Sequence, residues 1–458
     1  MFLSHKFPTF TEFFLLSILV FALVSCSKNT SENSAAEAEK ATEAECLAQE
    51  QAAQLEQEKK QEEERQAKIA ERERSAITSY LSQLSQTEKL AQLFLVNLQG
   101  NTDFEPVEYK DGKAVIPGGY LFFSFNIGKN AEEIMHFSDS IASYCTQNAL
   151  VPPYLSIDQE GGLVNRLRGI TSSVPSCRTI ATKYSEEEAK ALYDSQAKQL
   201  ALLGFSLNLA PVAEVSDSDN SDFLGTRSYG DSTAVKTYAS LAVKSYEENG
   251  IGTVLKHFPG NTNTDPHTGL PEIKLSDEEL EKTVIEPFSH VINTASPSAV
   301  LMSHARTTAH DGDKPACFSH YWISQILRDK MQFQGLILSD DIFMAALEKN
   351  GYPPEKAVTM AIEAGVDCIM LSEKKFVNVL TVLEKKAVQD ENFAHLLDDA
   401  VRRVIQYKIK AHILQITEEK AEENAQTALT LSDVAKEDVQ TRLQRFEEEK
   451  ARGDSCVK

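Results

Sequence analysis

Between residues 93 and 371 short apolar runs recur along the chain, separated by stretches with helical patterning. The runs are LFLVNL (93–98), GYLFFSF (119–125), YLSID (154–158), FSLNLAPV (205–212), GTVLKHF (252–258), AVLMSHA (299–305), GLILSD (335–340) and CIML (368–371). Rich in β-branched and aromatic residues and apolar almost throughout, they predict strands buried on both faces, as parallel sheets require. Segments 187–203 and 232–249 exemplify the helices between them. Eight strand–helix units in one stretch predict an α/β fold, the (β/α)8 TIM barrel, over residues 76–414. A doubly wound sheet is the structural alternative. Its dinucleotide-binding form fails, because no GxGxxG follows the first strand.

The flanks read differently. Residues 41–74 are Ala, Glu, Gln, Lys and Arg, all good helix formers, with Glu56/Lys60 and Glu64/Lys68 spaced for i,i+4 pairing. No apolar heptad is sustained, so this predicts a solvated helical spacer. The polar stretch before it lacks periodicity and reads as disordered, giving a linker over 26–75. Residues 415–458 return to Glu, Lys, Ala and Gln and read as an acidic tail, helical or disordered. At the other end Lys6 precedes an apolar run, 13–24, too short to span a bilayer but suited to a secretory signal. Leu23-Val24-Ser25-Cys26 resembles a lipoprotein signal, which implies loss of residues 1–25, acylation of Cys26 and anchoring to a membrane of the cell envelope, facing the periplasm or exterior. A plain signal peptide with a chance cysteine is the alternative.

The formal net charge of -22 argues against nucleic acid as a partner, since phosphate binding needs a basic surface. Much of that acidity sits in the flanks and bears first on solubility. The seven cysteines form no CxxC pair and no zinc-type Cys/His spacing, and Cys368, inside VDCIML, reads as a core residue.

In a TIM barrel the site forms where strands end. Here the polar residues gather at those ends: Asp158, Gln159, Glu160 and Arg166 after the third strand, Asn208, Glu214 and Arg227 after the fourth. Lys256, His257, Asp265 and His267 follow the fifth, His304 and Arg306 the sixth, and Asp340 and Asp341 the seventh. For any single one, a structural ion pair is the competing reading, and Lys256 could pair with Asp158 or Glu214.

The ordered motifs DQEGG (158–162), APVAEV (210–215), GTRSYG (225–230), KHFPG (256–260) and FQGLILSDDIFM (333–344), with TEKLAQLFLVNL (87–98), resemble glycoside hydrolase family 3, specifically its single-domain bacterial β-N-acetylglucosaminidases. The resemblance implies a retaining, two-step reaction without metal or organic cofactor. Asp340 matches the nucleophile, with Asp341 as its internal rival. His267 matches the acid/base and Asp265 the residue that orients it. Asp158, Arg166, Arg227, Lys256 and His257 match sugar-binding positions, where charge-assisted hydrogen bonds suit a polyhydroxy ligand. His304 is a further candidate for the pocket wall. The sequence departs from the family pattern at 261–264 (Asn-Thr-Asn-Thr), at Pro266, and at Glu214 where Asp is usual. The implied activity is exo-acting release of N-acetylglucosamine from peptidoglycan fragments or related glycans by a monomer. The alternatives are a β-glucosidase or β-xylosidase of the same family and a non-catalytic glycan-binding lipoprotein.

Overall fold

The computed structural model describes residues 33–265, 269–371, 375–421, 424–431 and 437–458. Cys26 and the signal segment lie outside the described residues, as do Pro266 and His267. The chain divides into two units, 1–72 and 73–458. In the first, the helix Asn33–Gln83 begins within the stretch whose composition reads as disordered. Arg65 pairs with Glu62 one turn earlier, at 2.7 and 2.8 Å, as exposed helical charges at this spacing do. Among the described residues no helix is long and apolar enough to cross a membrane.

The second unit is built on eight parallel strands: β1 (Phe94–Asn97), β2 (Gly119–Phe122), β3 (Tyr154–Ile157), β4 (Leu207–Asn208), β5 (Gly252–Phe258), β6 (Ala299–Met302), β7 (Leu336–Ser339) and β8 (Ile369–Leu371). The order is β7-β6-β5-β4-β3-β2-β1-β8, and a parallel bridge from Leu338 to Cys368 joins the two ends. Each of the eight predicted runs therefore holds one strand of a barrel. Strand β4 pairs over two residues only, and just past it the Ala210 amide turns back to the Asn208 carbonyl at 2.8 Å. The chain re-engages β5 through Val212 and Lys256.

The two-residue period of a strand explains why both faces are apolar. Leu95, Leu121, Tyr154, Leu207, Val254, Leu301, Leu336, Leu338 and Cys368 fill the interior. Phe94, Val96, Leu255, Val300, Ile337 and Ile369 alternate with them and pack outward against the helices. The same alternation, carried past the strand ends, aims Asp158 (after Tyr154 and Ser156), Lys256 (after Val254) and Asp340 (after Leu336 and Leu338) into one mouth.

Beyond the barrel the chain adds an element that the composition of the tail does not signal, an antiparallel hairpin of Leu414–Ala421 and Asn424–Leu431. A helix, Val439–Cys456, follows. It lies on the barrel helix Glu186–Leu202, where Ser195 Oγ donates to the Glu449 carbonyl at 2.7 Å, and Arg442 reaches Asp139 of the neighbouring helix Ala131–Gln147 at 2.6 Å, with Phe446 buried. A side chain at Gly453 would meet Ser172 and Ser195, so only glycine allows this approach.

Candidate active site

The loop after β3 is pinned before it presents anything. Asn208, buried at the end of β4, receives the Gln159 amide at 3.0 Å and donates to its carbonyl at 3.1 Å. The Gln159 side chain in turn accepts the amides of Arg166 and Leu167. Gly161 has φ +94°, and a Cβ there would stand 2.4 Å from the Pro175 carbonyl. The motif DQEGG thus fixes Asp158 and Glu160 two residues apart at the first arm of a rigid hairpin.

Lys256 bridges them. Its Nζ donates to Asp158 Oδ1 at 2.8 Å and to Glu160 Oε1 at 2.7 Å, with Lys256 and Glu160 almost wholly buried. Arg227 closes on Glu160 through Nε and Nη2, each at 2.8 Å. Burial alone would raise the Glu160 carboxyl, but Lys256 and Arg227 overcome it and hold it down at about 2. Burial likewise works against the Lys256 ammonium, and Asp158 and Glu160 together leave it raised. Arg166 reaches Asp158 Oδ2 at 3.4 Å, while its buried Nε has no partner.

The second cluster hangs from Glu214. Its Oε1 accepts His257 Nδ1 at 2.6 Å, its Oε2 accepts the Asn261 amide at 2.6 Å, and Asn261 Nδ2 stands 3.3 Å from Oε1. The residue that departs from the family pattern is thus bound to the stretch that departs with it. Asn263 continues the fastening, accepting the amides of Asp222 and Phe223 and donating to the Ser218 carbonyl. The Asp265 carbonyl accepts the Gly269 amide at 3.0 Å, so the two ends of the segment carrying His267 lie together.

Asp340 follows β7. Its amide donates to the Met302 carbonyl at 3.2 Å, and its Oδ1 accepts the Asp341 amide at 2.8 Å. Asp341 Oδ1 accepts the Phe343 amide at 2.9 Å, which shapes the turn. Burial, and next the Asp340 carboxylate, push the Cys317 thiol well up, which keeps it a thiol beside the site.

One expectation changes. His304 does not line the pocket: it is 1% exposed, and its ring nitrogens meet Cys317 Sγ at 3.2 Å and the Asp341 carbonyl at 3.0 Å. It braces the turn after β7, because it continues the outward alternation of Val300 and Met302. Arg227 gives Nε and Nη2 to Glu160, which fixes its guanidinium at the floor of the site. Of the two partners open to Lys256, Asp158 is the one it takes, and Glu160, given no role among the strand-end residues, is its second. The signal for Glu160 was a carboxylate between an apolar strand and two glycines. Among the described residues no group of three or more His, Cys, Asp or Glu side chains is arranged to hold a metal ion.

Known proteins resemble this chain. β-Hexosaminidase A of Pseudoalteromonas piscicida is 29% identical over 273 residues, 56% of this chain but only 45% of that protein, so the chain spans less than half of it. β-Hexosaminidase LpqI of Mycobacterium tuberculosis is 28% identical over 335 residues, covering 71% of this chain and 83% of LpqI. The solved structure of a glycoside hydrolase family 3 β-N-acetylglucosaminidase from Paenibacillus sp. superposes with a TM-score of 0.66 at 25% identity, covering 80% of this chain and 69% of that one. The glycosyl hydrolase family 3 N-terminal domain matches residues 85–407, and with the barrel and its mouth in place the chain belongs to that family of glycoside hydrolases.

Proposed function

We propose that the protein is a retaining exo-β-N-acetylglucosaminidase. The observation that carries this reading is the placement of Asp340: it continues the inward alternation of β7 at the mouth that also receives Asp158 and Lys256, with one carboxylate oxygen held by the Asp341 amide. Asp340 attacks the anomeric carbon, the glycosidic C–O bond breaks, and His267 gives its proton to the leaving oxygen. In the second step His267 takes a proton from water, which displaces Asp340 and releases the sugar. Asp265 orients His267 and steadies its charged form. Asp158, Lys256, Arg166, Arg227 and His257 hold the sugar hydroxyls. The names of the relatives favour an N-acetylhexosamine in the pocket. Acylation at Cys26 anchors the enzyme in the cell envelope, where peptidoglycan fragments are at hand.

The test is release of p-nitrophenol from the β-N-acetylglucosaminide and the β-glucoside, alongside Asp340→Ala. Hydrolysis of the acetamido substrate, lost in the variant, supports the reading. Preference for the glucoside would make it a β-glucosidase, and sugar binding without release from either would make it a glycan-binding protein.

A further inference from the structure

Phe123 and Phe125 stand at the edge of the mouth. Phe123 follows β2, packs against the barrel interior, and has the Arg166 guanidinium 5.9 Å from its ring centre. Phe125 lies parallel to it, with centroids 5.9 Å apart and planes 6° apart, and is 53% exposed. A rigid turn holds the pair. Asn126, fully buried, accepts the Phe123 amide at 2.9 Å and donates to the carbonyls of Leu98 at 3.0 Å and Gly100 at 2.8 Å.

One face of the Phe125 ring stacks on Phe123, but the fold leaves the rest of the ring in water on a pinned turn, although burying a phenyl face is favourable. Beside it, Arg166 reaches Asp158 and keeps a buried Nε without a partner, a cost unless a ligand atom meets it. The series Lys256, Asp158, Arg166, Phe123, Phe125 therefore runs unbroken from the floor of the pocket to the surface.

We propose that Phe125, with Phe123 beneath it and Arg166 beside it, is the subsite for the second sugar ring, the one on the leaving side of the bond that is cut. This rests on the exo-acting glycosidase reading: an enzyme that removes a terminal sugar has one pocket, and every further ring must lie on the leaving side. The apolar C–H face of a pyranose covers the Phe125 ring, and the Arg166 Nε–H donates to an oxygen of the bound sugar. The preferred substrate class is then a disaccharide or longer glycan rather than a glycoside with a small aglycone.

The test compares kcat/KM of the protein and of Phe125→Ala and Phe125→Trp on N,N′-diacetylchitobiose and on methyl β-N-acetylglucosaminide, whose aglycone is too small to reach the ring. Phe125→Ala is expected to lose about tenfold on the disaccharide and less than about twofold on the methyl glycoside, with Phe125→Trp retaining the disaccharide rate. Equal losses on both substrates, or none on either, with an active parent protein, overturn the subsite alone. A parent protein that cleaves neither overturns the glycosidase reading, and the subsite with it.

Discussion

Glu160 and Arg227 meet through two parallel hydrogen bonds of 2.8 Å, and the carboxylate that Arg227 grips is one of the two that hold Lys256. Glu160 therefore acts on the site through its neighbours, setting where the ammonium stands and which oxygen of Asp158 remains for a ligand.

Replacing Glu160 by Gln should leave Arg227 and Lys256 buried with one negative charge fewer between them. Breaking such a buried network costs on the order of 3 kcal/mol. The pH dependence follows the same carboxyl, lowered from 4.5 to about 2 in the folded chain. Its contribution is complete above the unfolded value and is lost as pH falls toward the folded one. Urea unfolding should show the native protein losing this margin between those two values, and Glu160→Gln starting lower with a flatter profile there. Parallel profiles would remove Glu160 as the cause.

The Glu214 carboxylate gathers His257 Nδ1 and the Asn261 amide at 2.6 Å each, leaving His257 Nε2 as the ring nitrogen for a ligand. Asp at this position is one methylene shorter and cannot hold both. Glu214→Asp should lower kcat/KM on an aryl N-acetylglucosaminide about tenfold, with a rise in KM. Glu214→Gln should cost at least as much, because its amide nitrogen cannot accept. Unchanged KM in both variants would show that His257 needs no such support.

Much of this was legible because a barrel strand writes its burial on both faces. Apolar runs such as AVLMSHA and GLILSD locate β6 and β7, and the polar residues that end them locate the mouth. What a charged residue does there was less legible, since spacing gives position but no partner. His304 carries the chemistry of a binding residue and is engaged by the Asp341 carbonyl instead. The hairpin after Leu414 escaped notice because its second half pairs Ala, Gln and Thr with a strand rich in Glu and Lys. Apolar and polar residues alternate only at its base, Leu414 to Thr417 and Leu429 to Leu431, too short a stretch to mark a strand pair.

Adjacent aspartates at the end of β7 are separated by their bonds. Asp340 Oδ1 takes one backbone amide, and Asp341 Oδ1 takes the Phe343 amide that shapes the turn. Asp340→Ala should lose at least about a thousandfold in kcat, as removal of a covalent nucleophile does. Asp341→Ala should lose about tenfold, through a looser turn. Assay of both on one aryl glycoside decides it, and the reverse order would move the nucleophile to Asp341.

At the opposite end of the barrel Lys408 is fully buried, with Nζ donating to Gln92 Oε1 at 2.5 Å and to the Pro152 carbonyl at 2.6 Å. Neither acceptor is charged, and burial pushes the amine down from 10.5 to about 7. Between those values the unfolded chain binds a proton that the native chain has released, so stability rises with pH. Below about 7 the buried charge is carried in full and the Lys408 contribution is flat. Above the ordinary thiol range Cys145 and Cys368 reverse the trend, since burial holds both up at about 12 while the unfolded thiols ionise. The rise is therefore confined to about pH 7–8.5, with a ceiling near 1.4 kcal/mol per pH unit. Urea unfolding across that window should show the rise in the native protein and its absence in Lys408→Met. If the variant keeps the slope, another group releases that proton.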